Sequence, residues 1–153
     1  MAASLAEAAR KEVGVELQST LVELLDLTLQ GKQAHWNVTG PGFRPLHLQL
    51  DEMVDEYRAW TDQVAERMAA IGVAPDGRAR TVAEDSPLSE LSADALADRQ
   101  VLELFSERLG AAAARIRPRL EHLGGVDLVS QDLLIEIAEG LEKQLWMVRA
   151  QLA

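Results

Sequence analysis

Residues 46–71 read LHLQLDEMVDEYRAWTDQVAERMAAI. Leu46, Leu50, Met53, Tyr57, Trp60, Val64, Met68 and Ile71 step by three or four, the spacing of one face of an α-helix. Gly72 and Pro75 supply its end. A second set of residues shares the same helix. At about 100° per residue, His47, Asp51, Asp62 and Glu66 fall within an arc of roughly 100°, and that arc lies roughly 145° from the apolar face. The stretch is therefore predicted as a helix that turns its apolar side to a core and a histidine–carboxylate stripe away from it.

Three further segments carry the same period, and none alternates as a strand does. The first runs from near Leu5 to about Asn37, with Leu17, Leu21, Leu24, Thr28 and His35 on one stripe and Gly14 and Gly31 as weak spots. Another carries Leu102, Phe105, Leu109, Ala112, Ile116 and Leu120 and stops at Gly124-Gly125; Pro118 is expected to bend or fray its last turns. The last carries Leu134, Ile137, Leu141, Leu145, Val148 and Leu152, with Asp127 or Ser130 as its N-cap. Thr39-Gly40-Pro41-Gly42 links the first two helices tightly, and a longer stretch, roughly 73–93, joins the second to the third. Two helical hairpins joined by one long crossover describe an all-α, ferritin-like four-helix bundle, a single domain over residues 1–153.

Composition narrows the chemistry. The 153 residues are 48% hydrophobic, enough for one core. With 15 Lys and Arg against 25 Asp and Glu, the net charge of −10 attracts cations and repels nucleic acid. The absence of cysteine excludes disulfides, thiolate zinc sites, iron–sulfur clusters and cysteine nucleophiles. The longest run without Asp, Glu, Lys or Arg, from Gln33 to Phe43, is too short to span a bilayer. MAASLAEAAR lacks a basic segment followed by an apolar one, so no signal peptide is expected and the location expected is cytoplasmic.

His47 with Asp51 and Asp62 with Glu66 are each four apart, so each pair shares a face and can hold one cation. Their midpoints are about 15 residues apart, or about 22 Å of helix, whereas a metal–ligand bond is about 2.1 Å. One helix cannot bring both pairs to one ion. Two antiparallel copies about a two-fold axis near Glu56–Tyr57 can, with the 47/51 pair of one facing the 62/66 pair of the other. His35 would complete each site. Imidazole and carboxylate without sulfur suit iron, zinc or manganese and do not choose among them. The Glu-x-x-His motif of an intra-bundle di-iron centre is absent.

The run Lys32-Gln33-Ala34-His35-Trp36-Asn37-Val38, then Gly40, Phe43, Leu46-His47, Asp51, Asp62 and Ala65-Glu66-Arg67, resembles the Dps family, the miniferritins. Gln131-Asp132-Leu133-Leu134 and Leu141-Glu142-Lys143-Gln144-Leu145-Trp146 extend the likeness over nearly the whole chain. The resemblance implies a shell of twelve subunits, each with a short extra helix in the long crossover. It implies ferroxidase centres at dimer interfaces, where His35, His47 and Asp51 of one chain meet Asp62 and Glu66 of another. Ferrous iron would be oxidised there, preferentially by hydrogen peroxide, and stored as ferric mineral, limiting oxidative damage. Trp36 would lie beside the centre and quench stray oxidising equivalents, and Lys32 is a family position near it. Asp127, Asp132 and Glu136 are candidates for an acidic pore that admits iron. Glu52, Asp55 and Glu56 are candidates for an inner wall that holds ferric ions, weighed against a plain acidic surface.

Strong DNA binders in that family carry a lysine-rich tail. Here Arg10 and Lys11 are the cations near the start and no basic run follows Arg149, so DNA binding is expected to be weak or absent, with nucleoid association only if DNA binds. Arg78 and Arg80 are the local patch that would oppose this. The alternative reading is a DNA-protecting shell in which iron chemistry is secondary. His122 is read as a hydrogen-bonded core residue, and Trp60 and Trp146 as packing or interface residues.

Overall fold

The computed structural model describes residues 5–153. The first four residues of the segment read above for a leader lie outside it. Helix α1 spans Glu7–Asn37 and α2 Phe43–Ala70; the short α3, Ala79–Asp85, lies in the crossover; α4 spans Asp98–Gly124 and α5 Leu128–Ala150. Two-residue strands β1, Val38–Thr39, and β2, Leu96–Ala97, pair in parallel, Val38 opposite Leu96 and Thr39 opposite Ala97. α1 packs chiefly on α2 and α4 on α5, giving the two hairpins and one long crossover of a ferritin-like bundle. No described helix is long and apolar enough to cross a membrane.

The apolar face of α2 reads as the sequence pattern requires. All eight of its stripe residues, from Leu46 to Ile71, are buried, while Asp62 and Glu66 are exposed and His47 and Asp51 are half-buried. Tyr57, Phe105, Leu17, Leu50, Leu109 and Ile116 are among the largest fully buried side chains. Two buried arginine networks stitch α1 to α4. Arg115 and Arg119 donate to opposite oxygens of Glu23 at 2.6 and 2.9 Å. Arg108 donates to Gln30 Oε1 at 2.6 Å and to the Ser89 carbonyl at 3.1 Å, which ties the crossover to the bundle.

Three local features differ from the sequence reading. The β1–β2 pair was not anticipated, because two residues are too few to show a period of two. α4 continues through Pro118 to Gly124. The carbonyl of Ala114, which the proline cannot satisfy, belongs to an exposed residue that water reaches. Gly31 is a point of close approach and not a weak spot. A Cβ there would stand 2.6 Å from Cγ2 of Val54, which is fully buried and stiff at χ1.

Gly31→Ala is accordingly expected to destabilise the fold by about 1–3 kcal/mol, since overpacking outweighs the roughly 1 kcal/mol that alanine gains inside a helix. Gly125→Ala, whose Cβ would meet nothing nearer than 3.8 Å, should change stability by less than about 0.5 kcal/mol. Urea unfolding of the two variants checks the contrast.

Candidate metal centre

His35 lies in the last turn of α1 and His47 in the second turn of α2. The five-residue link between the helices, residues 38–42, folds their ends together. Phe43 N–H donates to the Gly40 carbonyl at 3.0 Å, which closes a tight turn with Pro41 at its first corner. The two imidazoles then stack, with centroids 3.7 Å apart and planes 15° from parallel. Each ring is tied to the backbone of the other: His35 Nδ1 to the His47 carbonyl and His47 Nδ1 to the His35 carbonyl, both at 2.7 Å. A carbonyl only accepts, so both Nδ1 atoms carry hydrogen and both Nε2 atoms are left as lone-pair donors. The same bonds fix the ring planes before any ion arrives. Phe43 covers the outer face of His47, centroid to centroid 5.0 Å.

Asp51 lies one helical turn beyond His47. Its Oδ1 is 4.0 Å from His35 Nε2 and accepts a hydrogen bond from Lys32 Nζ. That bond, reinforced by the ammonium charge and opposed by partial burial, holds the Asp51 carboxyl below its usual range. His35, itself 8% exposed, thus stacks on His47 and lies near Asp51, whose counter-charge is the Lys32 ammonium.

Asp62 and Glu66 are not part of this group in the same chain. Asp62 lies 11 residues beyond Asp51, about 16 Å further along α2. It lines a shallow groove of about 300 Å³ with Leu25, Thr28, Arg58, Thr61 and Ala65. Among the described residues, no three His, Asp or Glu side chains are grouped so as to hold one metal ion. Trp36, next to His35, is 67% exposed and borders a cavity of about 600 Å³ under the crossover, opposite Val82, Leu88 and Leu91.

The remaining candidates divide by burial. Asp127 caps α5 by accepting from Ser130 N–H at 3.3 Å, and it pairs with Arg67 at 2.7 Å. Its carboxylate is turned inward, so of the three pore candidates only Asp132 and Glu136 are exposed. Glu52, Asp55 and Glu56 are exposed along α2, with Glu56 accepting from Gln144 Nε2. His122 pairs with Glu12 at 3.4 Å, Trp60 is buried against Gly140, and Trp146 is 67% exposed. Sequence reasoning missed the two carbonyls that orient the imidazoles. Every residue has a carbonyl, so only the spacing of His35 and His47 across a tight turn hinted at them. It also missed Asp98, which accepts from the Gly42 N–H at 2.5 Å.

Residues 15–153 match a family described as the ferritin-like domain. The chain is 39% identical over 134 residues to DNA protection during starvation protein 2 of Deinococcus radiodurans, an overlap of 88% of this chain and 56% of that protein. It thus spans little more than half the length of that relative. It is 40% identical over 136 residues to the fine tangled pili major subunit of Haemophilus ducreyi, covering 89% of this chain and 72% of that one. Among solved structures it is similar to Mycobacterium smegmatis Dps in a tetragonal form, with TM-score 0.93 and 35% identity over 97% of this chain and 90% of that chain.

The Asp127 cap yields a pH test. Burial raises its carboxyl, but the Ser130 bonds and the Arg67 guanidinium outweigh it and hold the group below 3.8. Its contribution to stability is therefore present above 3.8 and lost as pH falls through the lower folded value. Asp127→Asn keeps a capping oxygen and loses the charge. It should be less stable than the parent by about 1–3 kcal/mol at pH 7, a gap that narrows at acid pH, as followed by urea unfolding at both values.

Proposed function

The chain belongs to the Dps family of ferritin-like proteins, and on that footing we propose that it is a ferroxidase and iron store whose centres are shared between two subunits. The observation that carries this is the split ligand set. His35, His47 and Asp51 converge at one end of the α1–α2 hairpin, while Asp62 and Glu66 stand about 16 and about 22 Å further along α2 than Asp51 on the same outward stripe. A two-fold axis across the middle of α2 superposes the first group of one chain on the second group of its mate. Each dimer then holds two complete sites of two imidazoles and three carboxylates.

That set is suited to ferrous iron as a substrate. Hard anionic oxygens stabilise the ferric state more than the ferrous one, which favours loss of an electron at the site, and zinc or manganese can be held in iron's place. The pre-oriented imidazoles need no reorganisation on binding. Ferrous iron displaces the Lys32 ammonium from Asp51. Two ferrous ions give one electron each to hydrogen peroxide, the O–O bond breaks, and two protons complete two waters. The ferric product is stored inside a shell of twelve chains, which iron enters past exposed carboxylates such as Asp132 and Glu136. Trp36, which follows His35 in the chain, is the residue proposed to intercept a stray oxidising equivalent.

The name of the Deinococcus relative speaks of DNA protection. Removing iron and peroxide protects DNA without touching it. Direct binding is opposed by the net charge of −10 over these 153 residues. Arg78 is paired with Asp76 and Arg80 with Glu84, which spends the basic patch locally.

Sharing of the site gives a decisive experiment. Neither the double variant His47→Ala/Asp51→Ala nor Asp62→Ala/Glu66→Ala should oxidise ferrous iron rapidly. Refolding the two together in equal amounts should restore about a quarter of the parental rate, since half the random dimers are mixed and each mixed dimer keeps one intact site. Stopped-flow absorbance of ferric product reads the result, and no recovery in mixtures shown to be assembled by light scattering would refute the shared centre. In a gel shift at physiological salt the 153-residue protein should leave duplex DNA unretarded.

A further inference from the structure

Neither α2 nor α4 has a side-chain cap of its own: Gly42 and Ala97 occupy the two N-cap positions. One carboxylate serves both. Asp98 Oδ2 accepts from the Gly42 N–H of α2 at 2.5 Å, and Oδ1 accepts from the Arg99 N–H of α4 at 2.7 Å. α2 has no acidic residue in its first turn, so Asp98 is also the negative charge that its dipole lacks there. The link is shaped to receive this side chain. A Cβ on Gly40 would lie 2.9 Å from Asp98 Cγ, and one on Gly42 would lie 2.8 Å from Oδ2. Gly40 also sits at φ +117°, in the region that favours glycine. Beside it, the β1–β2 pair and a 3.3 Å bond from Thr39 Oγ1 to the Leu96 carbonyl bind the same link to the end of the crossover.

The link so clamped sets the separation of His35 from His47. Their two reciprocal bonds close only when the last turn of α1 and the first turns of α2 hold a fixed offset. The Gly42 carbonyl starts the α2 ladder by accepting from Leu46 N–H at 3.2 Å, next to His47. We propose that Asp98 is a positioning residue for the metal centre: by holding the amide of Gly42 it fixes the offset at which the two imidazoles lock each other and present both Nε2 atoms outward. The inference rests on the assignment of His35 and His47 as ligands given above. Asp98 touches neither the metal nor either ring and acts through the backbone alone.

Cobalt(II) titration of the assembled protein, read by the visible absorption band of the bound ion, tests this without turnover. Asp98→Ala should weaken cobalt binding about tenfold and alter the band, with helix content and assembly size preserved, in the range that loss of an outer support for a ligand produces. Asp98→Asn keeps one acceptor for Gly42 and should show a smaller loss; it decides the matter if the alanine variant does not assemble. Asp76→Ala removes a comparable loop anchor, a carboxylate that accepts from Arg78 and Thr81, and should leave cobalt affinity unchanged. In iron oxidation, Asp98→Ala should raise the ferrous concentration needed for half the maximal rate more than it lowers that rate. Parental cobalt affinity and band shape in both Asp98 variants would overturn the positioning role while leaving the ligand assignment intact. A parental cobalt band that His47→Ala does not diminish would instead overturn the ligand assignment, and the positioning role with it.

Discussion

An α-helix is a rod that advances about 1.5 Å per residue, and the ligands of one ion must lie within a few ångströms of each other. That mismatch governs the protein. α2 carries four ligand-type residues on one stripe, but the rod holds its two pairs too far apart to meet. The bundle bends nothing to close the gap. The core behind α2, from Leu46 to Ile71, is continuous and buried, and the outward stripe lies on the opposite side of the helix. What the fold supplies is a cluster of His35, His47 and Asp51 at one end of the stripe, and the proposed symmetry operation would bring Asp62 and Glu66 of a second copy to it.

The half-site is made by folding two helix ends over each other. Helix termini expose carbonyl and amide groups that need partners. Here the His35 carbonyl, in the last turn of α1, finds its partner in the His47 imidazole, and the Gly42 amide finds its partner in Asp98; the His47 carbonyl, inside α2, accepts from the His35 imidazole in addition. Groups that would otherwise cost free energy at a chain reversal become the scaffold that aims two ligands. The requirement explains why the link has so little freedom: Pro41 sets the corner, Gly40 supplies the positive φ, and Gly42 leaves room for a carboxylate from α4.

Much of this was legible in the sequence, in proportion to how local each signal is. The α2 stripe, the Gly124-Gly125 stop and the Asp127 cap are statements about neighbours within a few residues, and the structure places them so. Glu23 is different. It sits in the middle of α1 and reads as a surface acid, yet it is 3% exposed because Arg115 and Arg119 reach it from α4. Partners more than 90 positions away leave no mark on a local pattern. Gly31 misled for a related reason. Helix propensity counts the cost of a missing side chain, but the gain lies in the approach of Val54 from α2. The outward stripe of His47, Asp51, Asp62 and Glu66 was legible because spacing on one helix encodes a shared face, whereas Asp98 was not, because its partner is a backbone amide 56 residues earlier.

Lys32 shows how the half-site tolerates waiting for its ion. A carboxylate beside two imidazoles on the face of a protein with net charge −10 would repel its neighbours and draw ions indiscriminately. The Lys32 ammonium sits on Asp51 and supplies the missing positive charge, which keeps the carboxyl ionised. On the proposed reading, an arriving cation would exchange with a charge already present on Asp51. The lysine side chain, 21% exposed, carries its ammonium on a flexible stem and reaches the surface, so it can withdraw to water. An arginine there would grip the carboxylate through two parallel bonds and withdraw less readily. The residue that holds the site in reserve is thus one whose grip is a single point charge, weak enough to be displaced by an ion that the two fixed imidazoles also bind.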